Sequence, residues 1–212
     1  MPLLPKDWNV AVIGGWNPAL LTPQYIAKDL LGIPEGSDIK IEVPIDVVGP
    51  FRVSHDGLVV MVTSTRLIIE ATANDFASLE SAKEVALRAM LALPKTPLTV
   101  AGYNLRYSIP ELDPSLGPLV EATQLVGDNR FKEAGYPLAR RDVVWVVDWE
   151  GGKMSVGLTR EGQVATGLTF NFERVGDREH LEAWLKRPAN QSKSQMDRIV
   201  TEVLGLSPEV LG

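Results

Sequence analysis

The stretch 51–109 constrains the fold of this chain most strongly, because short apolar runs, a long helical pattern and a closing apolar run follow one another within it. Turn residues separate three runs that we interpret as strands: 51–53, 58–63 and 67–72. Asp56-Gly57, between the first two runs, is the strongest hairpin signal in the chain, since a primed turn requires positive φ and glycine adopts it at little cost. We therefore expect a three-stranded antiparallel meander here.

A helical pattern over 75–93 follows the meander. Its apolar residues recur at spacings of three and four: Phe76, Leu79, Ala82, Ala86, Met90 and Leu93. Asn74 is the predicted N-cap, Asp75 favours the first turn through the helix dipole, and Pro94 ends the pattern. We expect the apolar face of this helix to lie across the meander, and the run 99–109 to return as a closing strand.

The first fifty residues predict a strand, a helix and a second strand. The run 8–16 is apolar on both faces, which is typical of a strand that is covered on both sides. Thr22 is predicted to cap a helix that has Pro23 at its first position. Alternation over 39–45 predicts a strand, and Pro44 places it at an edge or near its end.

A weaker version of the same pattern recurs after Asp142. The predicted strands are 143–149, 154–160 and 163–174, and the predicted helices are 177–186 and 192–204. The pattern of three strands followed by a helix thus occurs twice, which predicts an α+β fold of two antiparallel β-meander-plus-helix units. We offer an internal duplication as a hypothesis. The division is a first half at 1–110, a connection with a short helix and a loop at 111–142, and a second half at 143–212. The halves form either two domains or one compact domain.

The charge balance favours neither nucleic acid nor membrane as a partner. The formal net charge is −6, from 27 acidic and 21 basic side chains, whereas nonspecific nucleic-acid binding needs clustered Lys and Arg. The one basic cluster is interpreted as a solvated loop: Arg130, Lys132, Arg140 and Arg141. The uncharged run 8–27 is interrupted by glycine and proline, so it predicts a strand and a helix start rather than a membrane span.

Cysteine is absent, which excludes disulfides and Cys-based metal centres within this chain and fits a cytoplasmic location. The first residues lack a basic region leading into an apolar run, so no signal peptide is predicted. Gly14-Gly15 lies between a strand and a helix, as nucleotide-binding turns do. It lacks the G-x-G-x-x-G spacing and is interpreted as an ordinary turn. We therefore predict no cofactor.

No catalytic or metal-ligating motif stands out. The two histidines, His55 and His180, lie in different halves, and neither is spaced to a second histidine as a zinc ligand would be. An acid-base site assembled in space from a histidine and a carboxylate is the alternative, because histidine titrates near neutral pH. Asp148 is interpreted as the exposed end of a strand rather than a buried carboxylate.

The second meander carries a face of small residues, which suggests a ligand-binding groove. Gly157 and Gly167 lie on two neighbouring strands within this face, together with Ser155, Thr159, Ala165 and Thr169. Trp145 and Trp149 on the next strand either fold over the glycines as structural cover or form the walls of a groove whose floor is this face. The second version predicts a site for an apolar ligand or a partner's segment.

Asn104 and Arg106 form the corresponding candidate in the first half. They share one face of the closing strand with Ser108, and a guanidinium there could clamp a carboxylate or a phosphate. The structural alternative is a cross-strand salt bridge from Arg106 to Glu42 or Glu70.

These features favour a noncatalytic binding or assembly protein, with an unknown protein or small ligand as partner, over an enzyme of unknown substrate. The support is the lack of nucleophile, metal and phosphate motifs, together with amphipathic sheets and five tryptophans. Homo-oligomerisation through a sheet face or edge is one form that such assembly takes.

Overall fold

The structure is a computed structural model that describes residues 3–37, 39–44, 49–109, 130–131, 133–136, 139–161, 164–207 and 211. Its strands are β1 (Leu4–Gly14), β2 (Lys40–Glu42), β3 (Arg52–His55), β4 (Leu58–Val62), β5 (Arg66–Ala71), β6 (Leu98–Ser108), β7 (Arg140–Trp149), β8 (Gly152–Glu161) and β9 (Val164–Val175). They form one nine-stranded antiparallel sheet in the order β2-β3-β4-β5-β1-β6-β9-β8-β7. The predicted α+β class is confirmed.

Helices occupy the remaining described elements. They are α1 (Pro23–Tyr25), α2 (Phe76–Ala92), α3 (Arg178–Leu185) and α4 (Asn190–Arg198), with π-helical turns at Ile26–Leu30 and Ile199–Val203. Among the described helices, none combines the length and apolar character that a membrane crossing requires. The short helix predicted in the connection, over 118–126, lies outside the described residues.

The chain divides into two compact units. The α2 unit consists of Asp7–Asn104 and Phe172–Ala189, and the β7 unit consists of Met1–Lys6, Leu105–Asn171 and Asn190–Gly212. Both units draw on separated stretches of the sequence, whereas the predicted division into 1–110, 111–142 and 143–212 follows chain order.

The predicted meander forms the centre of the α2 unit. Asp56 and Gly57 have φ values of 45° and 76°, so both occupy the left-handed region that a primed hairpin turn requires. The register then aligns Val53, Val60, Ile69 and Val10 in one row across four strands. All four side chains are fully buried, so this row forms part of the hydrophobic core.

Gly14-Gly15 ends β1 where two backbones meet closely. The Gly14 amide donates to Thr65 O at 3.0 Å, and the Gly15 amide donates to Pro97 O at 2.9 Å. A Cβ atom on Gly14 would lie 2.4 Å from Pro97 O, so no larger residue fits. This close approach explains in structural terms why Gly14 is a glycine.

Helix α2 begins one residue later than predicted. Asp75, whose backbone is extended, is the N-cap, and its carboxylate accepts the Ser78 amide at 2.7 Å. The prediction that Asn74 is the cap is therefore wrong. Asn74 adopts a φ of 53°, which asparagine tolerates, and its side-chain oxygen accepts the Trp8 amide at 2.8 Å.

An arginine caps the C-terminal end of α2. Arg178, the first residue of α3, donates to the carbonyls of Met90, Leu93 and Thr96 at 2.5, 2.9 and 3.0 Å. The carbonyls of Met90 and of the C-cap Leu93 are groups that a helix end leaves without partners inside the helix, and Thr96 lies just beyond it. A guanidinium with five donors in a fixed fork can reach all three at once.

A buried lysine also connects α2 to the end of α3. Lys83 is 2% exposed, contacts the Glu80 carboxylate at 2.8 Å and donates to the Arg187 carbonyl. Glu80 also accepts the Ala189 amide. Burial of an ammonium group is costly unless it is paired, so Glu80 is the residue that makes this burial acceptable.

We expect Glu80→Ala to lower the free energy of unfolding by about 2 kcal/mol, because it leaves the Lys83 charge buried with only a carbonyl partner and removes the acceptor of the Ala189 amide. Urea unfolding followed by circular dichroism measures the change. Glu84→Ala on the same helix is the matched control: Glu84 contacts Arg88 at 3.6 Å in an exposed pair, and its loss should cost less than about 0.5 kcal/mol. Equal costs for the two variants would contradict this role of Glu80.

Candidate functional site

The six residues predicted to bind a ligand lie on four strands. Asn104 is in the α2 unit, and the other five are in the β7 unit. The Asn104 side chain donates to the Asn9 side-chain oxygen at 3.0 Å, so its amide is engaged within the sheet. Glu42 and Glu70, the predicted partners of Arg106, contact the guanidinium of Arg52 at 3.5 and 2.6 Å.

The predicted groove is wrong in its geometry, because the indoles and the glycines lie on opposite faces of the sheet. Residues directly opposite in an antiparallel pair share a face. Trp145 is opposite Val156, and Gly157 is opposite Val144. The tryptophans therefore lie on the face of the buried Val156, and they neither cover nor flank the glycines.

The glycines and threonines of the predicted small-residue face lie together on β8 and β9. Cβ atoms built on Gly157 and Gly167 would lie 3.7 Å from the Cβ atoms of Thr169 and Thr159, respectively. These residues therefore share one face, and each is half-buried. The distances are ordinary van der Waals contacts, so neither glycine is required by a close approach.

Strand β7 is the most unusual surface of the β7 unit, because it exposes apolar side chains on both faces. It ends the strand order and pairs with β8 alone among the described strands. Val144 and Val146 on the glycine face are 59% and 57% exposed, and Trp145 and Val147 on the other face are 37% and 40% exposed. A long, exposed, apolar edge of this kind invites pairing with another chain.

The turn before β8 determines which backbone groups of β7 point outward. Trp149 pairs with Gly152 across the two-residue turn Glu150-Gly151, whose φ values are 48° and 75°. The residues that flank such a turn are hydrogen-bonded to each other, and hydrogen-bonded and non-hydrogen-bonded pairs then alternate. The N–H and C=O groups of the even-numbered residues, from Arg140 to Asp148, therefore point away from β8.

Charged residues flank the apolar run of β7. At one end, the Arg140 guanidinium contacts the Asp142 carboxylate at 2.9 and 3.1 Å, and the Thr159 hydroxyl donates to the same carboxylate at 2.7 Å. These hydrogen bonds hold the pKa of Asp142 below its ordinary value, and the bond from Arg140 has the largest effect. At the other end, Asp148 is 93% exposed and contacts Lys153 at 3.3 Å. The exposed position predicted for Asp148 is confirmed.

The opposite edge of the sheet has a different character. Strand β2 is three residues long, and Lys40 and Glu42 form an ion pair on it at 2.8 Å. Short edges with charged side chains resist the addition of another strand. Strand β7, by contrast, is ten residues long and has an exposed apolar centre.

Both histidines contact an aspartate that is close in sequence. His55 Nε2 lies 3.2 Å from the exposed Asp56 carboxylate, and His180 Nδ1 lies 2.7 Å from Asp177. Asp177 caps α3 by accepting the His180 amide, and this bond and the side-chain bond from His180 lower its pKa. An open groove of about 390 Å³ runs beside His55. Within the part of the chain that the structure describes, no three His, Asp or Glu residues are arranged to hold a metal ion.

Sequence reasoning missed the valines of β7. Their signal was present: five apolar residues, Val143–Val147, stand between charged residues with no proline among them. A run of this kind is equally typical of a central strand that is buried on both faces, so only the strand order shows that it is an edge.

We expect Gly157→Ala to keep or raise stability, by up to about 0.5 kcal/mol, because its new Cβ would find ordinary contacts and the unfolded chain would lose freedom. Gly102→Ala on β6 is the contrasting variant: its Cβ would lie 2.6 Å from Phe172 O, and we expect a loss of about 2 kcal/mol. Thermal unfolding of both variants tests this. A strongly destabilised Gly157→Ala would show that the small-residue face is packed against something.

We expect Arg140→Gln to raise the pKa of Asp142 toward its ordinary value of 3.8, since the largest cause of the lowered pKa is the hydrogen bond from Arg140. A carboxylate with a lowered pKa stabilises the fold above its unfolded pKa, and this contribution disappears as the pH falls through the folded pKa. Carbon-detected NMR titration measures the pKa directly. Arg198→Gln is the control. It removes the α4 arginine that pairs with Glu202 and should leave the pKa of Asp142 unchanged. A wild-type Asp142 that titrates at or above 3.8 would contradict the described contact.

No protein-family model and no curated protein sequence matches this chain. Its function is therefore inferred from the geometry of its own surface, and the apolar edge strand β7 is the feature that the geometry singles out.

Proposed function

We propose that this chain is a noncatalytic assembly protein that binds a protein partner by strand addition at β7. The observation that carries the proposal is a ten-residue edge strand whose central valines and tryptophan are exposed on both faces. Isolated exposed apolar residues are normal on protein surfaces, but a contiguous exposed run marks an interaction site.

The backbone of β7 supplies the affinity in this proposal. The amides and carbonyls of Asp142, Val144 and Val146 point away from β8, as the turn geometry requires. An extended segment laid along this edge satisfies them with main-chain hydrogen bonds, which is how strand-adding proteins bind their partners.

The side chains of β7 supply further energy and direction. Each exposed valine that a partner covers contributes on the order of 1 kcal/mol. Trp145 adds a large apolar surface with few rotatable bonds, a property common at protein interfaces. Because apolar side chains project from both faces, a bound strand gains neighbours above and below the sheet.

We make three further proposals, on the location of the chain, on its origin and on an alternative activity. The absence of cysteine supports a cytoplasmic location. The recurrence of three strands followed by a helix supports an internal duplication. Acid-base catalysis draws support only from the half-buried His55 and its contact with Asp56 beside the open groove, and it is the less favoured function.

We expect a fluorescently labelled peptide with the sequence of residues 140–148 to bind this chain, and Val146→Pro to weaken that binding by at least about tenfold. Proline removes an amide that points outward and leaves the pairing with β8 in place, as proline at an edge strand can. Fluorescence anisotropy measures the affinity, and circular dichroism checks that the variant is folded.

Val146→Thr is the matched control, because threonine keeps the amide, the β-branched shape and the strand preference. It should retain the peptide affinity within about threefold, which corresponds to less than 1 kcal/mol. If the peptide does not bind, or if Val146→Pro binds it as tightly as the wild type does, strand addition at β7 is refuted.

A further inference from the structure

We infer that the partner strand at β7 is the β7 strand of a second copy of this chain, paired antiparallel with Val144 on the two-fold axis. The inference rests on the strand addition proposed above and adds the identity of the partner and the register. A two-fold interface uses the same patch on both copies, so a strand can pair with itself when its two ends are complementary.

The ends of β7 are complementary in charge. Arg140 and Arg141 stand at its beginning, whereas Asp148 and Glu150 stand at and just after its end. An antiparallel copy reverses this order, so that the basic end of one strand meets the acidic end of the other. Opposite charges placed directly across a strand pair stabilise it.

The charges also select the register. With Val144 on the axis, Arg140 of each copy is opposite Asp148 of the other, and Asp142 is opposite Val146. With Trp145 on the axis, Asp142 would be opposite Asp148 twice, and like charges directly opposite destabilise the pairing. With Val146 on the axis, Asp142 would be opposite Glu150, which is again unfavourable. The register centred on Val144 avoids both clashes.

The same register joins the two existing ion pairs into one row. Within a copy, Arg140 contacts Asp142 and Lys153 contacts Asp148. Across the axis, the row of charged side chains runs from Lys153 and Asp148 of one copy to Arg140 and Asp142 of the second copy. Positive and negative charges therefore alternate along it. All four residues are exposed, so their pairing is sensitive to salt.

The backbone and the other face agree with this arrangement. The pairs 140–148, 142–146 and 144–144 join residues whose amides and carbonyls all point outward from β8, so each can exchange two hydrogen bonds. On the opposite face, Val143 lies beside Trp145 of the second copy, an aromatic and β-branched pair that is favourable across strands.

Sedimentation velocity of the full chain across a concentration series tests the proposal. We expect a reversible monomer–dimer equilibrium that Val146→Pro shifts toward the monomer. Asp148→Arg and Arg140→Asp should each raise the dimer Kd by about tenfold, because each change places like charges in opposition at two symmetric sites. The combined variant Arg140→Asp/Asp148→Arg should restore most of the affinity, since it exchanges the two charges.

Glu202→Arg on the exposed face beyond α4 makes the same change in net charge as Asp148→Arg and should leave the dimer unchanged. A dimer that Asp148→Arg strengthens would overturn the register, because that result fits Trp145 on the axis. A dimer that survives Val146→Pro, or a chain that is monomeric at every concentration, would overturn the pairing of β7 with itself.

The peptide experiment separates this inference from the function on which it rests. A chain that binds the 140–148 peptide and stays monomeric retains strand addition and refutes self-pairing. A chain that does neither refutes both. If the β7 amides of a monomer stay protected from hydrogen exchange at every dilution, the edge is covered from within the same molecule, and self-pairing is likewise refuted.

Discussion

An open β-sheet has two edges, and the backbone hydrogen-bonding groups at each edge must find partners or remain in water. This constraint governs the surface of the present chain. At the β2 end, the strand is short and charged, and both features discourage another strand from pairing. At the β7 end, the strand has ten residues and an exposed apolar centre, and we propose that there the same backbone groups bind a partner strand.

The two ends of β7 carry a different kind of information from its centre. The valines and Trp145 supply apolar area, which is nonspecific and would accept many partners. In the proposed pairing, Arg140, Asp142 and Asp148 would supply direction and register, because charges across a strand pair are favourable in some alignments and unfavourable in others. An edge with only the apolar centre would be prone to slip along its partner and to aggregate.

The sequence was sufficient to predict the elements of the α2 unit, and it was insufficient for the relation between strands in the β7 unit. Hydrophobic periodicity and Asp56-Gly57 indicated the meander because both signals are local. The N-cap was misplaced by one residue, since Asn74 and Asp75 are both good caps and only the backbone conformation distinguishes them.

The proposed groove failed for a reason visible in the numbering: a two-residue turn pairs each odd-numbered residue of β7 with an even-numbered residue of β8. Burial of β7 could not be predicted, because an apolar run does not reveal whether its strand is central or at an edge.

The arginine cap on α2 has a consequence for the order in which the chain becomes complete. Arg178 reaches carbonyls that lie 82 to 88 residues earlier in the sequence, and the α2 unit as a whole is formed from an early segment and a late one. A ribosome that has made all of β1 to β6 has therefore still not supplied the donors that close the end of this helix. Most residues of the α2 unit emerge first, yet the unit matures only after the intervening strands have been synthesised.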